Sequence, residues 1–187
     1  SIEIVGIDRR DIAYLPQAAE IDRSFPITVL DLVSLGLWRK IGPFRRIGTD
    51  AAARVEEAMA AVGLAGFERR PVGTLSGGQL QRALFARMLL QDARLLLLDE
   101  PFTAIDARTV ADLLALVGRW HGEGRTIVAV LHDLELVRAS IPETLLIARE
   151  PIAWGPTATV LTPENLLAAR RMGEAWDEAA PVCEAAA

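Results

Sequence analysis

The sequence Leu-Ser-Gly-Gly-Gln occupies residues 75–79, directly before an apolar pattern with helical spacing through residues 80–88. Ser76 is a good N-cap for a helix that begins here. Gly77 and Gly78 have no Cβ atom, so another molecule's backbone or phosphate can approach closely. The free N–H groups and positive dipole end of a first helical turn favour an anion. The stretch therefore predicts a helix start that can contact a phosphate, although an isolated Ser-Gly-Gly is more often an ordinary turn.

Four consecutive leucines at residues 95–98 are followed by Asp99, Glu100 and Pro101. Leucines without polar alternation favour a strand that is buried on both faces of a parallel sheet. Ligands of open α/β sheets bind at the carboxyl ends of the strands, which is where the two carboxylates lie. One carboxylate can hold Mg²⁺, and its neighbour can orient or deprotonate a water molecule. The alternative is a solvated turn between a strand and a loop.

Together, these two stretches resemble the nucleotide-binding subunits of ABC transporters, and further motifs of that family follow in the same order. Residues 13–17, Ala-Tyr-Leu-Pro-Gln, resemble the Q-loop. Residues 102–106 resemble the D-loop, and residues 130–133 resemble the strand end that carries the switch histidine. The similarity extends from the first residues to about Leu167. It implies an α/β fold, a P-loop NTPase-like ABC ATPase core with a mainly parallel sheet and an inserted helical subdomain.

The resemblance also implies catalytic and metal-binding roles, with ATP and Mg²⁺ as the cofactors. Asp99 would bind Mg²⁺ through its hydration shell, and Glu100 would act on the attacking water. Gln17 would reach both Mg²⁺ and that water. His132 follows a second buried strand, and its imidazole could donate a hydrogen bond to the γ-phosphate. A lone histidine is more often structural, but its place at a strand end beside the carboxylates favours a function.

The same family resemblance implies a head-to-tail dimer with a second ATP-binding subunit. ATP on the P-loop of one subunit would be closed over by the other subunit's signature residues, and Asp106 would cross the interface. The residues predicted to form this part of the nucleotide site are Ser76, Gly77, Gly78, Gln79 and Asp106. The remaining partners would be an integral membrane permease and an extracytoplasmic metal-binding protein. The subunit would then lie at the cytoplasmic face of the cell membrane.

The cargo is indicated by residues 25–31, Phe-Pro-Ile-Thr-Val-Leu-Asp, which resemble the matching stretch of zinc and manganese importers. Importers of iron-siderophores and cobalamin share much of this stretch and remain alternatives. A non-transport ABC ATPase of DNA repair or translation is less favoured, because the helical subdomain is compact and has no long coiled-coil insertion. A binding module without catalysis is the third alternative.

Composition narrows the class of protein further. A formal net charge of −5 gives no general support to a nucleic-acid partner. Cys183 is the only cysteine, so no disulfide can form within the chain, which suits a reducing compartment. No apolar run approaches the roughly 20 residues of a membrane-spanning helix.

Local patterns place the elements around these motifs within a single ABC ATPase domain. The helical subdomain is expected at about residues 25–92, part of the core sheet at about 93–172, and a flexible tail at about 173–187. Thr49 and Asp106 can each cap a helix. Further elements are predicted from periodicity and turn residues: strands at 11–17 and 126–131, a hairpin of 143–148 with 152–154, and a helix after Thr162.

The P-loop motif G-x-x-x-x-G-K-[ST] does not occur in these 187 residues. Lys40 is the only lysine, and it has neither a glycine before it nor a serine or threonine after it. The family places its P-loop before the Q-loop, so we expect it upstream of Ser1 in a longer protein. A natural fragment that lacks catalysis is the alternative. In either case, the chain by itself is expected not to hydrolyse ATP.

Overall fold

The computed structural model describes residues 6–17, 21–42, 48–103 and 105–174. The chain forms two compact units, one that ends at Leu131 and one that begins at His132. Each unit is described separately below. Within the described ranges, no helix combines the length and the apolar character that crossing a membrane requires.

The described part of the first unit contains a parallel sheet of three strands, β1 (Ile12–Leu15), β2 (Leu95–Asp99) and β3 (Thr126–Val130). The leucine run forms β2, which lies between the other two strands, with Leu96 and Leu98 fully buried. The side chains of the intervening leucines are partly buried. The predicted α/β class with a parallel sheet is therefore confirmed. The prediction that β3 is a second buried strand is wrong for the described residues, since none of its residues is buried and about half of the surface of Val128 and Val130 is exposed.

The first strand is shorter than the sequence predicts. Residues 11–17 were expected to be extended, but β1 ends at Leu15. Pro16 follows, and a proline has no N–H group to donate to a neighbouring strand. Gln17 therefore lies two residues beyond the strand rather than at its last position.

The helices of the first unit surround a core that is centred on the helix Gly77–Gln91, which follows the Leu-Ser-Gly-Gly-Gln stretch. This helix buries most of its circumference, including Leu80, Leu84, Phe85 and Met88, and its residues contact four other helical segments and β1. Short 3-10 turns lie at Arg9–Asp11, Leu35–Leu37 and Val72–Thr74. The helices are α1 (Val29–Ser34), α2 (Trp38–Ile41), α3 (Thr49–Ala61), α4 (Gly77–Gln91) and α5 (Ala107–Gly122).

Helix ends in this unit follow from local hydrogen bonds. In α1 the Thr28 hydroxyl accepts the N–H of Asp31, whose carboxylate accepts the N–H of Thr28 in return. The prediction that Thr49 caps α3 is wrong, since Gly48 is the N-cap and Thr49 is the first helical residue. Gly63 has a φ of +73° just after the C-cap residue of α3, a conformation that glycine adopts without strain.

The described residues of the second unit form a hairpin and three helices: α6 (Leu134–Ser140), β4 (Glu143–Ala148), β5 (Glu150–Pro156), α7 (Thr157–Val160) and α8 (Pro163–Glu174). The strands are antiparallel, as predicted, but Arg149 alone separates them, with a φ of +57°. The predicted three-residue turn is therefore too long. Thr162 accepts the N–H of Asn165 at 3.3 Å and so caps α8. Residues 175–187, most of the predicted tail, lie outside the described residues.

Candidate functional site

The two carboxylates lie where β2 ends and the chain turns. Asp99 is the last residue of β2, and Glu100 follows with a φ of +44°. A residue with a Cβ atom rarely adopts this left-handed conformation, and such strain is found most often at functional sites. The N–H of Glu100 donates to the carbonyl oxygen of Val130 at 3.2 Å, which ties the turn to the end of β3. The surrounding sheet thus holds the strained turn in place.

The Glu100 carboxylate accepts two side-chain hydrogen bonds at the same oxygen. The Nε2 atom of Gln17 donates to Oε2 at 2.6 Å, and the Oγ1 atom of Thr103 donates to it at 3.2 Å. Gln17 and Glu100 are 83 residues apart in sequence, and the parallel pairing of β1 with β2 brings their two strand ends together. The residues predicted from the Q-loop and from the carboxylate pair therefore meet in the structure.

Asp99 has a different neighbour. The hydroxyl of Tyr14 on β1 donates to Oδ2 of Asp99 at 3.1 Å. Mg²⁺ is commonly held by one or two carboxylates together with waters and substrate phosphates. The partly exposed Asp99 carboxylate at a strand end is a ligand of this kind, so the residues present fit the predicted magnesium role.

The turn before α4 forms a reciprocal cap. The Oγ atom of Ser76 accepts the N–H of Gln79 at 3.2 Å, and the Oε1 atom of Gln79 accepts the N–H of Ser76 at 3.0 Å. These bonds use the N–H groups of Ser76 and Gln79. The N–H groups of Gly77 and Gly78, in the first turn of the helix, are then the ones available to an external anion. The Gln79 side chain stabilises this turn from within.

Asp106 caps α5 as predicted. Its Oδ1 atom accepts the N–H of Thr109 at 2.9 Å, and its Oδ2 atom accepts the Thr109 hydroxyl at 2.7 Å. These two bonds, the backbone one first, hold the pKa of Asp106 below its ordinary value. Asp106 is therefore ionised at neutral pH. Its effect on stability is present above the ordinary pKa and is lost as pH falls through the lowered one.

His132 begins the second unit and is exposed, two residues beyond β3. Its predicted contact with a γ-phosphate stays a prediction. The structure does add hydroxyl groups that the sequence did not single out, those of Tyr14 and Thr103. Both residues lie within the stretches that resemble the Q-loop and the D-loop. The strand order β1-β2-β3, which places Tyr14 beside Asp99, could not be read from those stretches alone.

Comparisons with known proteins identify the relatives of this chain. Residues 3–103 match the sequence profile of the ABC transporter family. The manganese transport system ATP-binding protein MntB of Halalkalibacterium halodurans is 42% identical over 156 residues, which cover 83% of this chain and 62% of that protein. The zinc transport system ATP-binding protein TroB of Treponema pallidum is 40% identical over 157 residues, which cover 84% of this chain and 59% of that protein.

A solved structure of a metal-chelate type ABC transporter in an inward-facing conformation superposes with a TM-score of 0.78 at 30% sequence identity. The match covers 86% of this chain and 63% of that chain. The chain therefore spans about three fifths of the length of these relatives.

Proposed function

This chain belongs to the ABC transporter family, and from that premise we propose that it is part of an ATP-binding and ATP-hydrolysing subunit of a metal-ion importer. The observation that carries the ATPase assignment is the 2.6 Å hydrogen bond between Gln17 and Glu100, which joins the Q-loop to the carboxylate pair. The names of the manganese and zinc relatives support a divalent metal as the cargo, as does the stretch at residues 25–31. Import of an iron-siderophore or cobalamin is the runner-up.

The chain's own residues would divide the work at the phosphates. Bound Mg²⁺ would neutralise charge on the transferred phosphoryl group. Asp99 would hold that ion, while Glu100 would orient and deprotonate the attacking water. Gln17, which contacts Glu100 in the structure, would sense both the water and the ion. His132 would donate a hydrogen bond to the γ-phosphate. Positioning of this kind supplies most of the rate in phosphoryl transfer.

A second subunit would complete the nucleotide site. The P-loop and its lysine would come from sequence outside these residues, and the turn at residues 76–79 would close over ATP held by the neighbouring subunit. The N–H groups of Gly77 and Gly78 would then donate to the γ-phosphate. A permease and an extracytoplasmic metal-binding protein would complete the transporter, with this subunit at the cytoplasmic face of the membrane.

Replacing Gln17 by alanine is expected to lower the ATP turnover number of the full-length protein by about 10- to 100-fold. The change removes the amide that bonds Glu100 and that would orient the water. Folding should be preserved, because Gln17 lies beyond the end of β1 and is only partly buried. Steady-state hydrolysis measured against ATP concentration, together with thermal unfolding, checks this result. A turnover number equal to that of the wild type would remove Gln17 from the mechanism.

Deleting the gene is expected to cause a growth defect in metal-depleted medium that added zinc or manganese rescues. The reason is that the uptake of one of these ions would depend on ATP hydrolysis by this subunit. Complementation with the wild-type gene should restore growth, whereas a matched plasmid that encodes Glu100→Gln should not. Rescue by an iron-siderophore or by cobalamin, and not by either metal, would overturn the proposed cargo.

A further inference from the structure

Arg82 on α4 joins three elements through one side chain. Its Nη1 atom donates to the carbonyl oxygen of Val62 at 3.0 Å, at the end of α3. Its Nη2 atom donates to Oγ1 of Thr109 at 3.1 Å and to Oδ2 of Asp112 at 2.8 Å, both on α5. The side chain is only 17% exposed. A planar guanidinium can hold several acceptors at once in fixed directions, and so Arg82 ties α4 to α3 and to α5.

The hydrogen bonds continue from Arg82 to Asp106. Thr109 is buried, and its hydroxyl accepts from Arg82 while it donates to Oδ2 of Asp106 at 2.7 Å. Bonds in such a chain polarise and strengthen one another. The carboxylate that caps α5 is therefore connected to the middle of α4 through one buried hydroxyl.

Gly78 brings the turn before α4 close to the same carboxylate. A Cβ atom placed on Gly78 would lie 3.5 Å from Oδ2 of Asp106 and 3.5 Å from Oγ1 of Thr109. The turn at residues 76–79 thus approaches Asp106 directly, and Arg82 secures the two helices one turn further along α4. The bonds of Arg82 at one turn and the close approach of Gly78 at the preceding turn together limit rotation of the start of α4 against α5.

We propose that Arg82 is a positioning residue that fixes the turn at residues 76–79 against Asp106, so that both meet a neighbouring subunit as one surface. This assignment rests on the proposed function, in which the turn closes over the neighbour's ATP and Asp106 crosses the interface. Arg82 acts through Thr109 and Asp106 rather than on the nucleotide. Lysine cannot replace it, because a single ammonium group cannot span the same three acceptors.

The test uses full-length protein that carries Glu100→Gln. Because this variant is expected to bind ATP without hydrolysing it, the closed dimer should accumulate when ATP is added. Adding Arg82→Lys should weaken ATP-dependent dimerisation, measured by analytical ultracentrifugation, by about tenfold. Thr109→Val should weaken dimerisation to a similar extent. The variant that carries both changes should dimerise no more weakly than the weaker of the two single variants, because both changes break the same chain of hydrogen bonds. The control is Arg119→Lys, the same change at an exposed position on α5, which should dimerise like the parent.

Each result decides a different point. If Arg82→Lys and Thr109→Val dimerise as tightly as the parent, Arg82 does not position the turn, while the proposed function stands. Thermal unfolding without ATP measures the stability of the monomer. If the variants lose dimer only because their monomers have unfolded, the assignment is also overturned. If the Glu100→Gln parent fails to dimerise with ATP, the proposed function fails and the assignment falls with it. Should Arg82→Lys not fold, Thr109→Val decides by the same criterion, because valine keeps the buried shape.

Discussion

Replacing Glu100 by glutamine is expected to lower ATP turnover by the full-length protein by about 10²- to 10⁴-fold while ATP binding is kept. An amide has nearly the shape of the carboxylate but cannot take a proton from water. Its oxygen can still accept the hydrogen bonds that Gln17 and Thr103 donate. The left-handed backbone at this position, with its bond to Val130, needs no change. Single-turnover hydrolysis and equilibrium binding of ATP separate the two effects.

A matched control is available on α3, where Glu57 is exposed. Glu57→Gln makes the same chemical change away from the strand ends, and it should leave both hydrolysis and binding unchanged. Turnover near the wild-type rate in Glu100→Gln would show that another group activates the water. Loss of ATP binding together with hydrolysis would instead indicate that Glu100 supports the site's structure rather than its chemistry.

Features that depend on neighbouring residues could be predicted from the sequence. Ser76 and Asp106 each cap a helix through bonds to a residue three positions further on, so the signal lies within one turn. The leucine run of β2 needed no partner to be identified, because a buried central strand is apolar on both faces. The predicted N-cap of α3, Thr49, is one position too late, because Gly48 is the N-cap. Glycine is about as good an N-cap as threonine, and periodicity does not fix the first residue of a helix.

Features that depend on distant residues could not be derived from spacing. Gln17 and Glu100 were assigned to one site only through the family resemblance, and their contact follows from the pairing of β1 with β2. The bonds of Arg82 span 20 to 30 residues, and no local pattern distinguishes this arginine from a solvated one. The boundaries of the predicted helical subdomain and the role of His132 stay predictions.

Replacing Gly36 by alanine is expected to destabilise the folded protein by about 3 kcal/mol. Gly36 lies in the 3-10 turn Leu35–Leu37, where it crosses α4 closely. A Cβ atom added there would overlap the carbonyl oxygen of Arg87 and would lie 2.8 Å from Cβ of Leu90. Both obstructing atoms belong to a helix whose apolar side is buried, so neither can move without disturbing the core. The midpoint of urea unfolding should therefore fall.

Gly118→Ala is the matched control, because Gly118 lies inside α5 with no atom near the position of an added Cβ. Alanine favours a helix over glycine by about 1 kcal/mol, so this change should raise the same midpoint. The two glycine-to-alanine changes thus have opposite expected signs, which a general effect of methyl groups on the unfolded chain cannot produce. If Gly36→Ala raised the midpoint as well, the close crossing of the 3-10 turn over α4 would not exist in solution.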